Sequence, residues 1–207
     1  MFAQLSAAPI TFLILLVNFL IGIYTFQMDP SLISRMSLKP TRVQQNGEYY
    51  RLLTGGFVHA GWAHLAFNLI TLYFFGPVLE WSLGTFGYVI LYFGSGILAN
   101  GVAYYIHRKE ENYSAVGASG AIAGVVCAFA LFNPTSSIYL FAVVPMPAWL
   151  FAVAFIGFSI YAMTRSFDGQ MGRIAHDAHL GGAVGGILLT IALRPDVVRM
   201  FFQHLGL

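Results

Sequence analysis

Six stretches of the chain, at roughly 9–27, 60–82, 85–107, 115–133, 147–163 and 174–194, are mostly apolar for close to the 20 residues that a helix needs to cross a bilayer. Lipid offers no hydrogen bonds, so each stretch must satisfy its own backbone, and a helix does this within one segment. The expected architecture is an all-α membrane protein, a six-transmembrane-helix bundle forming a single domain over residues 1–207. Charge supports this: 9% of residues are Asp, Glu, Lys or Arg, against about a quarter in soluble domains. So few charges cannot clothe a soluble surface. A net charge of +2 is too small to suggest a nucleic-acid partner, and no basic run supports one, so none is expected. Cys127 is the lone cysteine, has no intrachain disulfide partner and is read as a small core residue. Residues 1–8 carry no Lys or Arg, and no small-residue cleavage site follows the first apolar run. That run is therefore expected to be a retained helix rather than a signal peptide.

The connections between the stretches are uneven. A turn around Gly84 separates the second and third, which predicts a tight antiparallel pair. Polar runs at Arg108-Lys109-Glu110-Glu111-Asn112, Asn133-Pro134-Thr135-Ser136-Ser137 and Arg165-Ser166-Phe167-Asp168-Gly169 end the third, fourth and fifth. Residues 138–147 are apolar but carry Pro145 and Pro147, so a dipping loop is expected there. The longest connection, 28–58, carries Arg35, Lys39, Arg42 and Arg51, with Tyr49, Tyr50 and Phe57 able to rest in the membrane interface.

Polar residues at apolar depth carry the functional information, because each needs a partner or a cavity. His64 and Asn68 are four apart near the start of the second stretch and share a helix face. Both can donate hydrogen bonds to a developing oxyanion; the alternative is that they bond neighbouring helices together. Gly117-Ala118-Ser119-Gly120 opens the fourth stretch, and Gly120 and Gly124 continue a small-residue face with Ser119 at its rim. A second such stripe, Ala178, Gly182 and Gly186, opens the sixth, with His179 one residue from it. If the stripes meet, His179 reaches Ser119 and can take its proton, which a weak serine nucleophile requires. Packing alone, with an incidental serine and a core histidine, is the competing reading. Asp177 falls about 200° round the helix from His179 at 3.6 residues per turn and should not orient it, so the pattern is a dyad without an acid. Glu80, four turns on from His64, is read as a buried structural acceptor away from that pair. His176 and Asp177 are expected at the membrane interface, and His59, His107 and His204 in interface or loop positions.

In this order, on the second, fourth and sixth helices, these clusters resemble the rhomboid family of intramembrane serine proteases, over nearly the whole chain. The resemblance implies that Ser119 is the nucleophile and His179 the base. His64, Asn68 and the Ser119 backbone N–H would form the oxyanion hole, with Gly117, Gly120, Arg51 and Glu80 in support. Tyr50-Arg51 stands where the family carries a Trp-Arg pair. Ala123 stands where some members place an aromatic ring against the catalytic histidine, so His179 needs another support. The implied activity is cleavage of single-span membrane proteins within the lipid bilayer, near the membrane face and after a small residue. Helices two and five would border the substrate's path, and a polar cavity would admit water from the side of loop 28–58. No cofactor and no metal are implied. The implied location is a multi-pass protein of the bacterial inner membrane.

Charge and resemblance disagree on orientation. Of ten Lys and Arg, eight fall in the first, third and fifth loops, which the positive-inside rule would leave in the cytoplasm. Bacterial relatives would have the termini there instead, so orientation stays open. Two further readings compete: a catalytically inactive rhomboid-like protein that binds client helices, and a metal channel using His64, His176 and His179.

Overall fold

The computed structural model describes residues 8–140, 143–164 and 175–207; residues 1–7, 141–142 and 165–174, and with them the polar run 165–169, lie outside the described residues. The chain runs α1 (Pro9–Gln27), α2 (Ser31–Met36), α3 (Pro40–Asn46), α4 (Arg51–Thr54), α5 (Trp62–His107), α6 (Ser119–Phe132), β1 (Ser137–Leu140), β2 (Val144–Pro147), α7 (Ala148–Thr164), α8 (His176–Leu193) and α9 (Val197–His204). Helices α1, α5 and α8 are long and apolar enough to cross a membrane, while α6 and the apolar run of α7 are shorter. Helix α5 is two limbs joined at Gly84, whose φ of 71° and ψ of 164° reverse the chain in a conformation that side-chain-bearing residues avoid.

Helix α1 starts with Pro9, whose missing N–H suits a first turn. The next N–H groups have no carbonyl within the helix, and Glu80 supplies the acceptor. Ile10 N donates to its Oε1 at 3.0 Å, and Thr11 N and Oγ1 donate to its Oε2 at 2.8 Å each. A carboxylate facing a helix N-terminus also meets the positive end of the dipole. Glu80, 3% exposed, is therefore the structural acceptor expected from the sequence.

Helices α6 and α8 lie backbone to backbone. A Cβ added at Gly182 would sit 2.0 Å from Gly120 O, and one at Gly186 would sit 2.3 Å from Gly124 Cα. The two small-residue stripes read from the sequence thus face each other at a spacing that only glycine permits. Cys127 is buried in the core beside them, among Ile122, Val125 and Val126.

Loop 28–58 is a folded segment rather than a slack connection. Arg51, 6% exposed, donates through its Nη1 to Ser34 O at 3.2 Å and Ser37 O at 2.8 Å, and through its Nε to Glu48. That bond, with a smaller contribution from Asn46, holds the half-buried Glu48 carboxyl below the usual glutamate range. A lowered folded-state pKa means that this contribution is present above the ordinary pKa and is lost as pH falls through the lowered value. Asn100 Nδ2 donates to Leu52 O at 2.8 Å and ties the loop to α5.

Two expectations are corrected. Where a loop was expected over 138–147, the described ends are paired strands: β1 and β2 run antiparallel, with Tyr139 opposite Pro145 and Ser137 opposite Pro147. A two-stranded ribbon has only edge strands, where proline is tolerated, so the prolines that argued against a helix do not prevent a hairpin. The fourth helix begins at Ser119, later than 115, because Ala115 exchanges hydrogen bonds with Leu38 at 2.9 and 3.0 Å and keeps the chain extended there.

Gly182→Ala places a methyl against backbone that cannot swing aside, so the two helices must separate. Overpacking of this kind costs about 1–3 kcal/mol. The midpoint of unfolding in mixed detergent micelles should fall accordingly; an unchanged midpoint would contradict the contact.

Candidate active site

The turn before α6 is fixed from outside the helix. Gly117 N donates to Gly55 O at 2.9 Å, and Gly117 adopts a φ of 111°. A side chain there would be strained and would also strike His64, whose Cε1 lies 2.4 Å from the position a Cβ would take. Gly117 therefore lets the His64 imidazole lie against the turn that delivers Ser119. Ser119 is the first residue of α6, where backbone N–H groups lack intrahelical acceptors.

Ser119 Oγ lies 2.8 Å from His179 Nε2, a hydrogen bond between α6 and α8 across sixty residues of sequence. Both side chains are partly buried. His179 sits one residue off the Gly182 stripe, so the backbone contact that brings the helices together also brings these two groups into reach.

Asn68, one turn beyond His64, is 3% exposed, and its Nδ2 has no hydrogen-bond partner among the described residues. An unsatisfied buried donor is costly unless something else accepts from it. Here it stands as a free donor on the same helix face as His64. Asp177 faces away from Ser119 and bonds His107 instead, Oδ2 to Nε2 at 3.0 Å. Arg51 and Glu80 serve the loop and α1 respectively.

The structure adds burial and partners for three further polar residues. Asp177 is 6% exposed and bonded. His59 lies in the loop before α5, one of the two placements expected, and is wholly buried there, edge-on to His64 with 5.2 Å between ring centroids. His107, at the end of α5, is engaged on both ring nitrogens.

The support missing at Ala123 comes from another helix. Phe155 of α7 lies beside His179, centroids 5.9 Å apart and planes inclined by 34°. Phe158 meets His176 edge-on at 5.6 Å, and His176 meets His179 edge-on at 6.1 Å. Nothing in the sequence separated Phe155 from the other aromatic residues of an apolar run. Among the described residues no three His, Cys, Asp or Glu side chains are grouped to hold a metal ion, so the metal-channel reading gains no support.

A small cavity of about 30 Å³ adjoins Gly117, Ala118, Gly120 and Ala121, bounded by Leu53, Phe57, Tyr92 and Asn100. The group as a whole holds a hydroxyl, an adjacent base, free donors and a confined space beside them. Such a set can perform nucleophilic acyl transfer.

A family model described as Rhomboid domain matches residues 46–196. The chain is 37% identical over 154 residues to the protein named "Putative rhomboid protease YdcA" of Bacillus subtilis, covering 70% of this chain and 67% of that one. It is 29% identical over 190 residues to the mitochondrial RHOMBOID-like protein 12 of Arabidopsis thaliana, covering 84% of this chain and 53% of that one. It is 29% identical over 224 residues to the rhomboid protease AarA of Providencia stuartii, covering 95% of this chain and 77% of that one.

Phe155→Ala should remove the ring beside His179 and slow the reaction of Ser119 with a fluorophosphonate by roughly tenfold, the scale expected when a reacting group loses part of its alignment. An unchanged labelling rate would show that Phe155 merely fills space.

Proposed function

Because the chain belongs to the rhomboid family of membrane proteins, we propose that it is an intramembrane serine endopeptidase working through a Ser119–His179 dyad. The observation that carries this reading is the 2.8 Å bond between Ser119 Oγ and His179 Nε2. His179 takes the hydroxyl proton as Ser119 attacks the scissile carbonyl. The oxyanion is met by the Ser119 backbone N–H, Asn68 and His64, and His179 then returns the proton to the leaving amine. Water repeats the sequence to release the acyl group. Gly117 and Gly120 support the turn and the close helix contact, while Arg51 and Glu80 support the surrounding frame.

In this reading α1, the two limbs of α5, α6, α7 and α8 are six membrane spans of one domain. Helix α6 has 14 residues, about 21 Å at 1.5 Å per residue, which is short for a hydrocarbon core of about 30 Å. Starting the helix at Ser119 puts the nucleophile below the membrane surface. The extended segment before it is tolerated because it is buried against loop 28–58.

The substrate is a single-span membrane protein that approaches between the first limb of α5 and α7. The small cavity beside Gly117 and Ala121 favours cleavage after a small residue. The protein resides in a bacterial inner membrane.

In a detergent assay with a model transmembrane substrate, Ser119→Ala and His179→Ala should each abolish cleavage while the thermal midpoint is retained. Full activity in either variant would refute the dyad. Asn68→Ala should lower the rate by roughly 10²-fold, the loss typical of an oxyanion donor; an unchanged rate would leave Asn68 a structural role only.

A further inference from the structure

Helix α8 makes a second polar contact on the side away from Ser119. The buried Asp177 carboxylate lies 3.0 Å from His107 Nε2. A carboxylate only accepts, so His107 is the donor. His107 is itself held by its surroundings: its Nδ1 lies 2.7 Å from Glu110 Oε1, and its ring stacks on Tyr113 with centroids 3.7 Å apart and planes 10° apart. The imidazole therefore has little freedom, and whatever it grips at the start of α8 is held firmly.

The contact between α6 and α8 leaves something unfixed that this grip can fix. Gly182 and Gly186 meet Gly120 and Gly124 through backbone atoms. A glycine face sets how closely two helices approach, but it has no side chain to key rotation about the helix axis. His179 lies off that stripe, so rotation of α8 swings its ring past Ser119. At a helix radius of about 6 Å, a 10° rotation moves the ring by about 1 Å. Displacement on that scale can cost 10²-fold in rate. Ala123 contributes no ring to resist it, and Phe155 of α7 bears on the His179 ring itself rather than on the rotation of α8.

We infer that the His107–Asp177 bond is a positioning device: it sets the rotation of α8 from the far side and so fixes the approach of His179 to Ser119. This rests on the reading of Ser119 and His179 as the catalytic pair. Neither His107 nor Asp177 touches substrate in this account; both act through the helix that carries His179.

The test uses the full chain in detergent with a model single-span substrate, reading kcat, KM and thermal midpoint separately. His107→Ala and Asp177→Ala should each lower kcat by roughly tenfold with KM within about twofold, the split expected when only the alignment of reacting groups is lost. The double variant should lose no more than the weaker single, because both break one contact. Asp177→Asn keeps an acceptor oxygen for His107 and should recover most of kcat. Asp177→Ser, which suits a first helical turn but is too short to reach His107, should behave as alanine does and covers the case in which the alanine variant fails to fold. Wild-type kcat in His107→Ala, multiplicative losses in the double variant, or Asp177→Asn as impaired as Asp177→Ser would each overturn the inference. A wild-type chain that neither cleaves substrate nor reacts with a fluorophosphonate at Ser119 would instead overturn the dyad itself.

Discussion

Backbone-to-backbone contact between α6 and α8 is the constraint on which the site depends. Lipid gives no hydrophobic drive for one apolar helix to leave it for another, so association rests on close packing and on polar groups that find each other. Gly120, Gly124, Gly182 and Gly186 supply the first. Ser119 and His179 supply the second, at the edges of the same stripes. The spacing that packs the bundle is also the spacing at which an imidazole reaches a serine hydroxyl.

Placement of the serine along its helix depends on a different part of the chain. Loop 28–58 is stitched together by Arg51, bonded to Leu38–Ala115 and Gly55–Gly117, and tied to α5 through Asn100. Those bonds hold Ala115 and Gly117 outside the helix, so that α6 starts at Ser119. A segment rich in polar and aromatic residues thereby sets where Ser119 falls at the start of its helix. Gly117, with its positive φ and with His64 lying against it, joins the two parts.

The apolar runs, the reversal at Gly84 and the two glycine stripes were legible in the sequence, because each depends on residues near one another or on a repeating spacing; Glu80 was legible as a carboxylate at apolar depth that needs donors, though its partners Ile10 and Thr11 were not. Phe155 was not. A helix that is apolar all round offers no amphipathic face to say which ring points inward, and α7 is such a helix. The His107–Asp177 bond joins residues seventy apart, and their meeting depends on how α5 and α8 are rotated, which charge and hydropathy do not encode. His59 was read as an interface or loop residue; it does lie in a loop, but its burial against His64 depends on how that loop folds back, which local sequence does not encode. The hairpin at 137–147 was missed because its prolines exclude a helix without excluding a two-stranded ribbon.

The most direct test of the central claim is to treat the native protein in membranes with a fluorophosphonate and map the adduct by mass spectrometry. A dyad activated by His179 predicts a single adduct on Ser119, lost in His179→Ala. Absence of labelling at Ser119 under conditions where a known serine protease reacts, or equal labelling without His179, would contradict it.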